Sequence, residues 1–295
     1  MKVPENHAQF YEKTISESLK LINHGMWEIS LPKFEAWTQQ FLTIEEKFFS
    51  ACILDSLIFR TNAQFESCLK SIFRGNLNNT IYKDRHDGAL LIDLKSWSTC
   101  DIKIVPVICE TDPPTKSGPL VLRRLQRILG INSKKMCWPW QAHTEKKQTA
   151  IVIFVDDFLG TGEQFIRFFN QWGFNEKLDG TTYYYVPAVA HQDGIDNIQQ
   201  NHPQIIISTA EKLDKNNNFF TEENWSKLSG GQISASEAKD WYSKFCEEKE
   251  ITPKTTGIYG IGEMSLTYGF SHSTPNNSLP ILWYGNGSWQ GLLER

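Results

Sequence analysis

The sequence predicts an α/β fold built around a parallel sheet, with a helical region before it and an extension of helix plus hairpin after it. Three observations carry that expectation. Ile151-Val-Ile-Phe-Val155 is a continuous apolar run of strand length, the pattern of a strand buried on both faces, and it stops at the adjacent carboxylates Asp156 and Asp157. A glycine-rich turn follows, after which Phe165, Ile166, Phe168, Phe169 and Trp172 recur at helical spacing until Gly173 supplies a stop. Ile102 to Cys109, Thr182 to His191 and Ile205 to Ser208 read as further strands with helical stretches between them, the alternation expected of a parallel sheet covered on both faces.

Taken in order, residues 1 to about 75 read as helices. Pro32 opens one that continues through Phe34, Trp37 and Phe41. Thr43 with Glu46, and Thr61 with Gln64, form capping-box patterns ahead of two amphipathic runs. Between Gly75 and Cys100 the chain turns polar, which predicts a loop with an edge strand at Ala89 to Leu94 and a solvent-facing His86. The strand at Ile102 to Cys109 contains Pro106, which confines it to an edge or a bulge. A loop from Thr111 to Gly118 leads into a helix carrying Leu120, Val121, Leu125, Ile128 and Leu129 with Arg123, Arg124 and Arg127. A short polar helix is expected around Ile195 to Asn201. Leu228-Ser-Gly-Gly-Gln232 matches the signature of ABC-type ATPases, yet no Gly-x-x-x-x-Gly-Lys-Ser/Thr loop accompanies it, so it is read as a loop before a helix capped by Ser234 and Glu237. These elements divide into 1–95, a helical region, 96–215, the sheet core, and 216–295, the extension.

Composition bounds the function. With 295 residues, 40% hydrophobic and 22% charged, the chain can bury one large core or two modest ones. A net charge of -4 gives no general pull toward nucleic acid, although a local basic patch is compatible with it. No early apolar stretch resembles a signal peptide and no run of about 18 apolar residues is present to span a bilayer, so a cytoplasmic protein with no membrane contact is expected. Cys52, Cys68, Cys100, Cys109, Cys137 and Cys246 lack metal-site spacing and read as buried thiols. The ten tryptophans imply either a dense core or aromatic-lined surfaces.

The stretch Asp156-Asp-Phe-Leu-Gly-Thr-Gly-Glu-Gln164 carries the chemistry. Free N–H groups of a tight loop and of a helix start favour an anion, Gly160 and Gly162 allow the backbone close to it, and Thr161 and Gln164 add donors. Carboxylates would repel that anion as direct ligands, but they accept hydrogen bonds from vicinal sugar hydroxyls, so a sugar 5-phosphate fits both halves. The pair is expected at a strand end open to solvent or ligand. The alternative is an ordinary strand-turn-helix with Asp157 as helix N-cap.

This segment resembles the phosphoribosyl pyrophosphate (PRPP) motif of type I phosphoribosyltransferases. The resemblance implies a phosphoribosyltransferase-like, Rossmann-like core in which Asp156 and Asp157 are the ribose-binding acids and Phe158, Leu159, Gly160, Thr161, Gly162, Glu163 and Gln164 form the 5-phosphate loop. Glu163 and Gln164 depart from the usual pattern. The order strand, loop, helix places Lys116, Ser117 and Gly118 where such enzymes hold pyrophosphate. The tail, Tyr268-Gly-Phe-Ser-His-Ser-Thr-Pro-Asn-Asn-Ser-Leu-Pro-Ile-Leu-Trp-Tyr284, reads as a hairpin or crossing loop around Thr-Pro-Asn-Asn. It resembles the end of predicted phosphoribosyltransferase-like effectors of bacterial anti-phage defence systems, including some retrons.

What the resemblance implies is a glycosyltransferase using PRPP or a related ribose 5-phosphate nucleotide with substrate-bound Mg2+ and no direct protein ligand to the metal. Asp156 and Asp157 would serve catalysis. Independently of the resemblance, the donors and acceptors crowded into the tail turn predict that His272 takes a proton from the acceptor and that Asn276 and Asn277 bind it. A defence-system protein or nucleoprotein is the expected partner. A PRPP sensor without catalysis, or a protein-interaction module, are the alternatives.

Overall fold

The computed structural model describes residues 1–83, 89–97, 102–144, 150–176 and 180–295, so His86 and Cys100 lie outside the described residues. The chain forms two compact units, residues 1–62 with 214–295, and residues 63–213. The successive segments 1–95, 96–215 and 216–295 do not map one to one onto them, because the two ends of the chain share a unit and residues 63–95 belong with the sheet.

The first stretch holds α1 (His7–Asn23), α2 (Leu31–Thr38), α3 (Ile44–Asp55) and the short β1 (Ile58–Arg60). Pro32 lies in the first turn of α2, where its missing N–H breaks no helix bond. α2 ends at Thr38, short of Phe41, yet Phe34, Trp37 and Phe41 are all buried. The capping box of α3 forms as expected, with Thr43 Oγ1 accepting from Glu46 N and the Glu46 carboxylate accepting from Thr43 N, both at 3.2 Å.

The second unit follows with α4 (Asn62–Arg74), α5 (Asn76–Ile81), α6 (Ala89–Lys95), β2 (Ile102–Pro106), α7 (Ser117–Leu129), α8 (Pro139–Thr144), β3 (Ile151–Leu159), α9 (Glu163–Gln171), β4 (Thr182–His191), α10 (Gln192–Asn201), β5 (Ile205–Ile207) and β6 (Glu211–Leu213). The loop and edge strand expected between Gly75 and Cys100 are corrected here to the helices α5 and α6. The run at 89–94 is too short for sequence period to separate strand from helix, and tertiary contact decides it. Leu90, Leu91 and Leu94 bury one helical face, and Asn78 Oδ1 accepts from the otherwise open Leu90 N at 3.0 Å.

The sheet runs β2-β3-β4-β5, with β6 also pairing β4, and every pairing is parallel. β2 is an edge strand, as Pro106 demands. Val107 N bonds Val155 O, so the alternation turns the position of the missing Pro106 N–H away from β3. One face packs Phe154, Tyr183 and Tyr185 against Phe165, Phe168 and Phe169 of α9 and Ile195 and Ile198 of α10. The Phe165 and Tyr185 rings stack with centroids 3.9 Å apart.

Returning to the first unit, the chain adds α11 (Glu222–Ser229), α12 (Ala235–Glu248) and β7 (Tyr268–Phe270). The Leu228–Gln232 stretch ends α11 with Gly230 in the left-handed region, and Ser234 Oγ caps α12 by accepting from Glu237 N at 3.2 Å. Of the hairpin or crossing loop expected in the tail, the hairpin of the expected extension does not form and the crossing does. β7 pairs in parallel with β1, and Leu266 bridges Ser278 in parallel, so the chain crosses over where a hairpin would double back. Tryptophans serve both expected uses: Trp37 and Trp225 are fully buried in this unit, while Trp138 and Trp140 of the other are exposed. Cys52, Cys109, Cys137 and Cys246 are buried thiols and Cys68 is half-buried. Among the described residues no helix is long and apolar enough to cross a membrane.

One contact in the sheet unit shapes the turn after β3. A Cβ at Gly194, in the first turn of α10, would sit 2.0 Å from Gly160 O. Because the obstacle is backbone, relief requires the helix or the turn to move. Gly194→Ala should therefore lower unfolding stability by about 1–3 kcal/mol in urea titrations, and an unchanged midpoint would show that the helix gives way freely.

Candidate functional site

β3 outruns its neighbour. The last β2 pair is Pro106 with Val155, whereas β3 stays paired to β4 through Leu159 with Ala190. Asp156 and Asp157 thus occupy the stretch of β3 that β2 has left, beyond the carboxyl end of the edge strand, where ligands of parallel sheets bind. The space is filled by the start of α7. A Cβ at Gly118 would lie 2.5 Å from Val107 O, so only glycine lets the helix come this close to the strand.

The approach places Ser117 Oγ 3.1 Å from Asp156 Oδ1, to which it donates. Asp157 N donates to the same oxygen at 3.0 Å, and the Tyr185 hydroxyl donates to Oδ2 at 3.4 Å. Asp156 is 3% exposed. Burial pushes its carboxyl well above the usual carboxylate range, and the neighbouring Asp157 charge pushes it further. The same burial, with the charges of Asp156 and Asp157, raises Tyr185 well above the ordinary phenol value. The expectation of a carboxylate pair open to solvent is corrected: both side chains are buried, and Asp156 is bonded into the protein.

The phosphate-loop assignment also changes in extent. Phe158 and Leu159 are strand residues paired to Val189 and Ala190, so the turn proper is Gly160-Thr161-Gly162. Asp157 is not the N-cap of α9; Gly162 is, at φ 85. The first α9 bond runs from Ile166 N to Gly162 O, which leaves the N–H groups of Glu163, Gln164 and Phe165 outside the helical ladder. α10 braces the turn from behind through Asn197 Nδ2, which donates to Thr161 O at 2.8 Å. Glu163 is exposed in the first turn and Gln164 is half-buried.

Of Lys116, Ser117 and Gly118, Ser117 meets the Asp156 carboxyl, whereas Gly118 packs on Val107. Lys116 Nζ lies 3.9 Å from Asp112 Oδ1, and Asp112 Oδ2 accepts from Cys109 N at 2.9 Å, closing the turn after β2. His272, Asn276 and Asn277 belong to the other unit. There Asn277 Nδ2 donates to Ile261 O at 2.9 Å, Asn276 O accepts from Ile261 N at 2.9 Å, and His272 stacks on Phe270 at 5.1 Å. The sequence reading missed Tyr185, Asp112, Gly194 and Asn197. No stretch singles out Tyr185, one of the three consecutive tyrosines Tyr183 to Tyr185, because its place beside Asp156 comes from the register of β4 on β3.

The family model PRTase-CE matches residues 34–295, nearly nine-tenths of the chain, and the chain belongs to that family. No curated protein matches it. Among solved structures it is similar to the AQ2163 protein from Aquifex aeolicus, at 13% identity over 63% of this chain and 86% of that one, with a TM-score of 0.31.

The buried carboxyl has a measurable consequence. A group whose folded pKa is raised contributes stability that is complete below its unfolded value, about 3.9 for Asp, and is lost as pH rises through the folded value. Asp156→Asn removes that loss. The melting temperature of the variant relative to the wild type should climb as pH rises from about 4; parallel curves would mean that Asp156 ionises as readily in the folded chain as in the unfolded one.

Proposed function

We propose that this PRTase-CE protein binds PRPP or a related ribose 5-phosphate nucleotide and transfers or hydrolyses the phosphoribosyl group, as an effector of bacterial anti-phage defence. The observation that supports this most is that α7 begins against the Asp156 carboxyl of β3 and α9 begins just after the end of the same strand. In this reading the turn 160–162 and the first N–H groups of α9 receive the 5-phosphate. Lys116 and the N–H groups at the start of α7 receive pyrophosphate. Asp157 accepts the ribose hydroxyls. Asp156 is a positioning residue, holding Ser117 and thereby the start of α7.

The reaction breaks the bond from the anomeric carbon to pyrophosphate through an oxocarbenium-like state, and a base, nucleotide, macromolecule or water forms the new bond. Among the described residues no three His, Cys, Asp or Glu side chains group to hold a metal. In this reading magnesium is carried by the pyrophosphate and ribose oxygens, offsetting their charge.

A second reading, a sensor that binds without turnover, is favoured by the Glu163 carboxylate beside the 5-phosphate position. Radiolabelled PRPP with purified protein separates the two, since pyrophosphate release marks the enzyme and saturable binding alone marks the sensor. In the same assay Asp157→Asn should weaken binding about ten- to hundredfold, the loss of a charged hydrogen bond. Glu163→Gln should tighten it about two- to fivefold. Absence of saturable PRPP binding would end both readings. A reverse-transcriptase or DNA-binding-protein gene beside this one would support the defence role.

A further inference from the structure

A strip of aromatic and basic side chains follows the outer edge of β2. After α7 the chain returns along that edge, with a 3-10 turn at Ser133–Lys135, a parallel bridge from Met136 to Ile104, and Cys137 N donating to Ile104 O at 3.1 Å. Covering an edge strand needs apolar side chains turned inward, and Cys137 and Ala142 supply them. It does not need indoles in solvent. Yet Trp97 is 76%, Trp138 40% and Trp140 47% exposed.

These indoles are held in fixed geometry. Trp138 and Trp140 stack with centroids 5.2 Å apart and planes 6° from parallel, and Trp140 meets Trp172 at 5.8 Å. Trp172 anchors the ladder by donating from Nε1 to Ile108 O at 3.0 Å. Lys134 Nζ stands 5.3 Å from the Trp97 ring centre, and Lys103 Nζ donates to Lys134 O at 3.3 Å, so two ammonium groups lie along the same stretch.

Exposed indoles, two of them stacked in parallel, on one edge with two ammonium groups at its Trp97 end suit unpaired bases on a phosphate backbone. The net charge of -4 supplies no general attraction, so affinity here would rest on stacking with local charge. We propose that this edge binds single-stranded nucleic acid, bases stacking on Trp97, Trp138 and Trp140 and phosphates meeting Lys103 and Lys134. The proposal is independent of PRPP binding.

The test is fluorescence anisotropy of the full chain with a labelled oligothymidylate of about 12 nucleotides, within the usual site size of such grooves. Saturable binding is expected, with Trp138→Ala combined with Trp140→Ala weakening it at least about tenfold. Lys134→Glu should also weaken it and flatten its dependence on salt. A duplex of the same length should bind at least about tenfold more weakly, because its bases are already stacked. No saturable binding, variants equal to the wild type, or a duplex bound as well as the single strand would each overturn the proposal. Should the double variant fail to fold, Trp97→Ala and Lys134→Glu alter exposed side chains and decide the question alone.

Discussion

A carboxyl inside a parallel strand is tolerable only where donors replace the water it has lost, and the hydrogen bond from Ser117 to Asp156 meets that need while fixing the start of α7. The arrangement depends on unequal strand lengths. Had β2 continued beside β3, its ladder would occupy the ground on which α7 begins. Gly118 against Val107 sets the distance, and Ser117 then reaches the carboxyl. Side chain and backbone therefore specify one position for the helix start twice over.

The turn after β3 is specified in a comparable way from the opposite side. Its glycines answer to α10 as much as to any ligand: a Cβ at Gly162 would lie 2.9 Å from Gly194 O, and Gly194 itself packs on Gly160 O. Asn197 takes the Thr161 carbonyl. With carbonyls and Cα positions turned to α10, the N–H groups at the start of α9 are what the turn has left to offer. The aromatic layer of Phe154, Phe165 and Tyr185 holds α9 against the sheet, and each such pair contributes about 0.5–1.5 kcal/mol beyond burial.

What could be read from the sequence was what local chemistry determines. The buried run of β3, the Thr43–Glu46 capping box, the edge position forced by Pro106 and the stop at Gly173 each depend on neighbours within a few residues. The misreadings share the opposite property. α6 is a helix because Leu90, Leu91 and Leu94 find a buried side and Asn78 caps it. The tail crosses because β7 takes as partner β1, about two hundred residues earlier, and a parallel pairing of that separation leaves no local mark. In the site, Ser117 was placed by element order, whereas Tyr185 reaches Asp156 only through the register of β4 on β3, which no single stretch encodes.

Charge is the remaining constraint, since the segment proposed to hold a phosphate carries three acidic residues, Asp156, Asp157 and Glu163. Burial resolves most of the conflict. Exclusion of water pushes the Asp156 carboxyl well above its usual range and the adjacent Asp157 pushes it further, so ionising both together is disfavoured. Glu163 acts through solvent, where salt screens it over about 10 Å at 0.1 M and the partial positive charge of the α9 start opposes it. Repulsion of an anion is thus weaker than three formal charges imply, and its residue falls on Glu163, the carboxylate most easily neutralised without disturbing the fold.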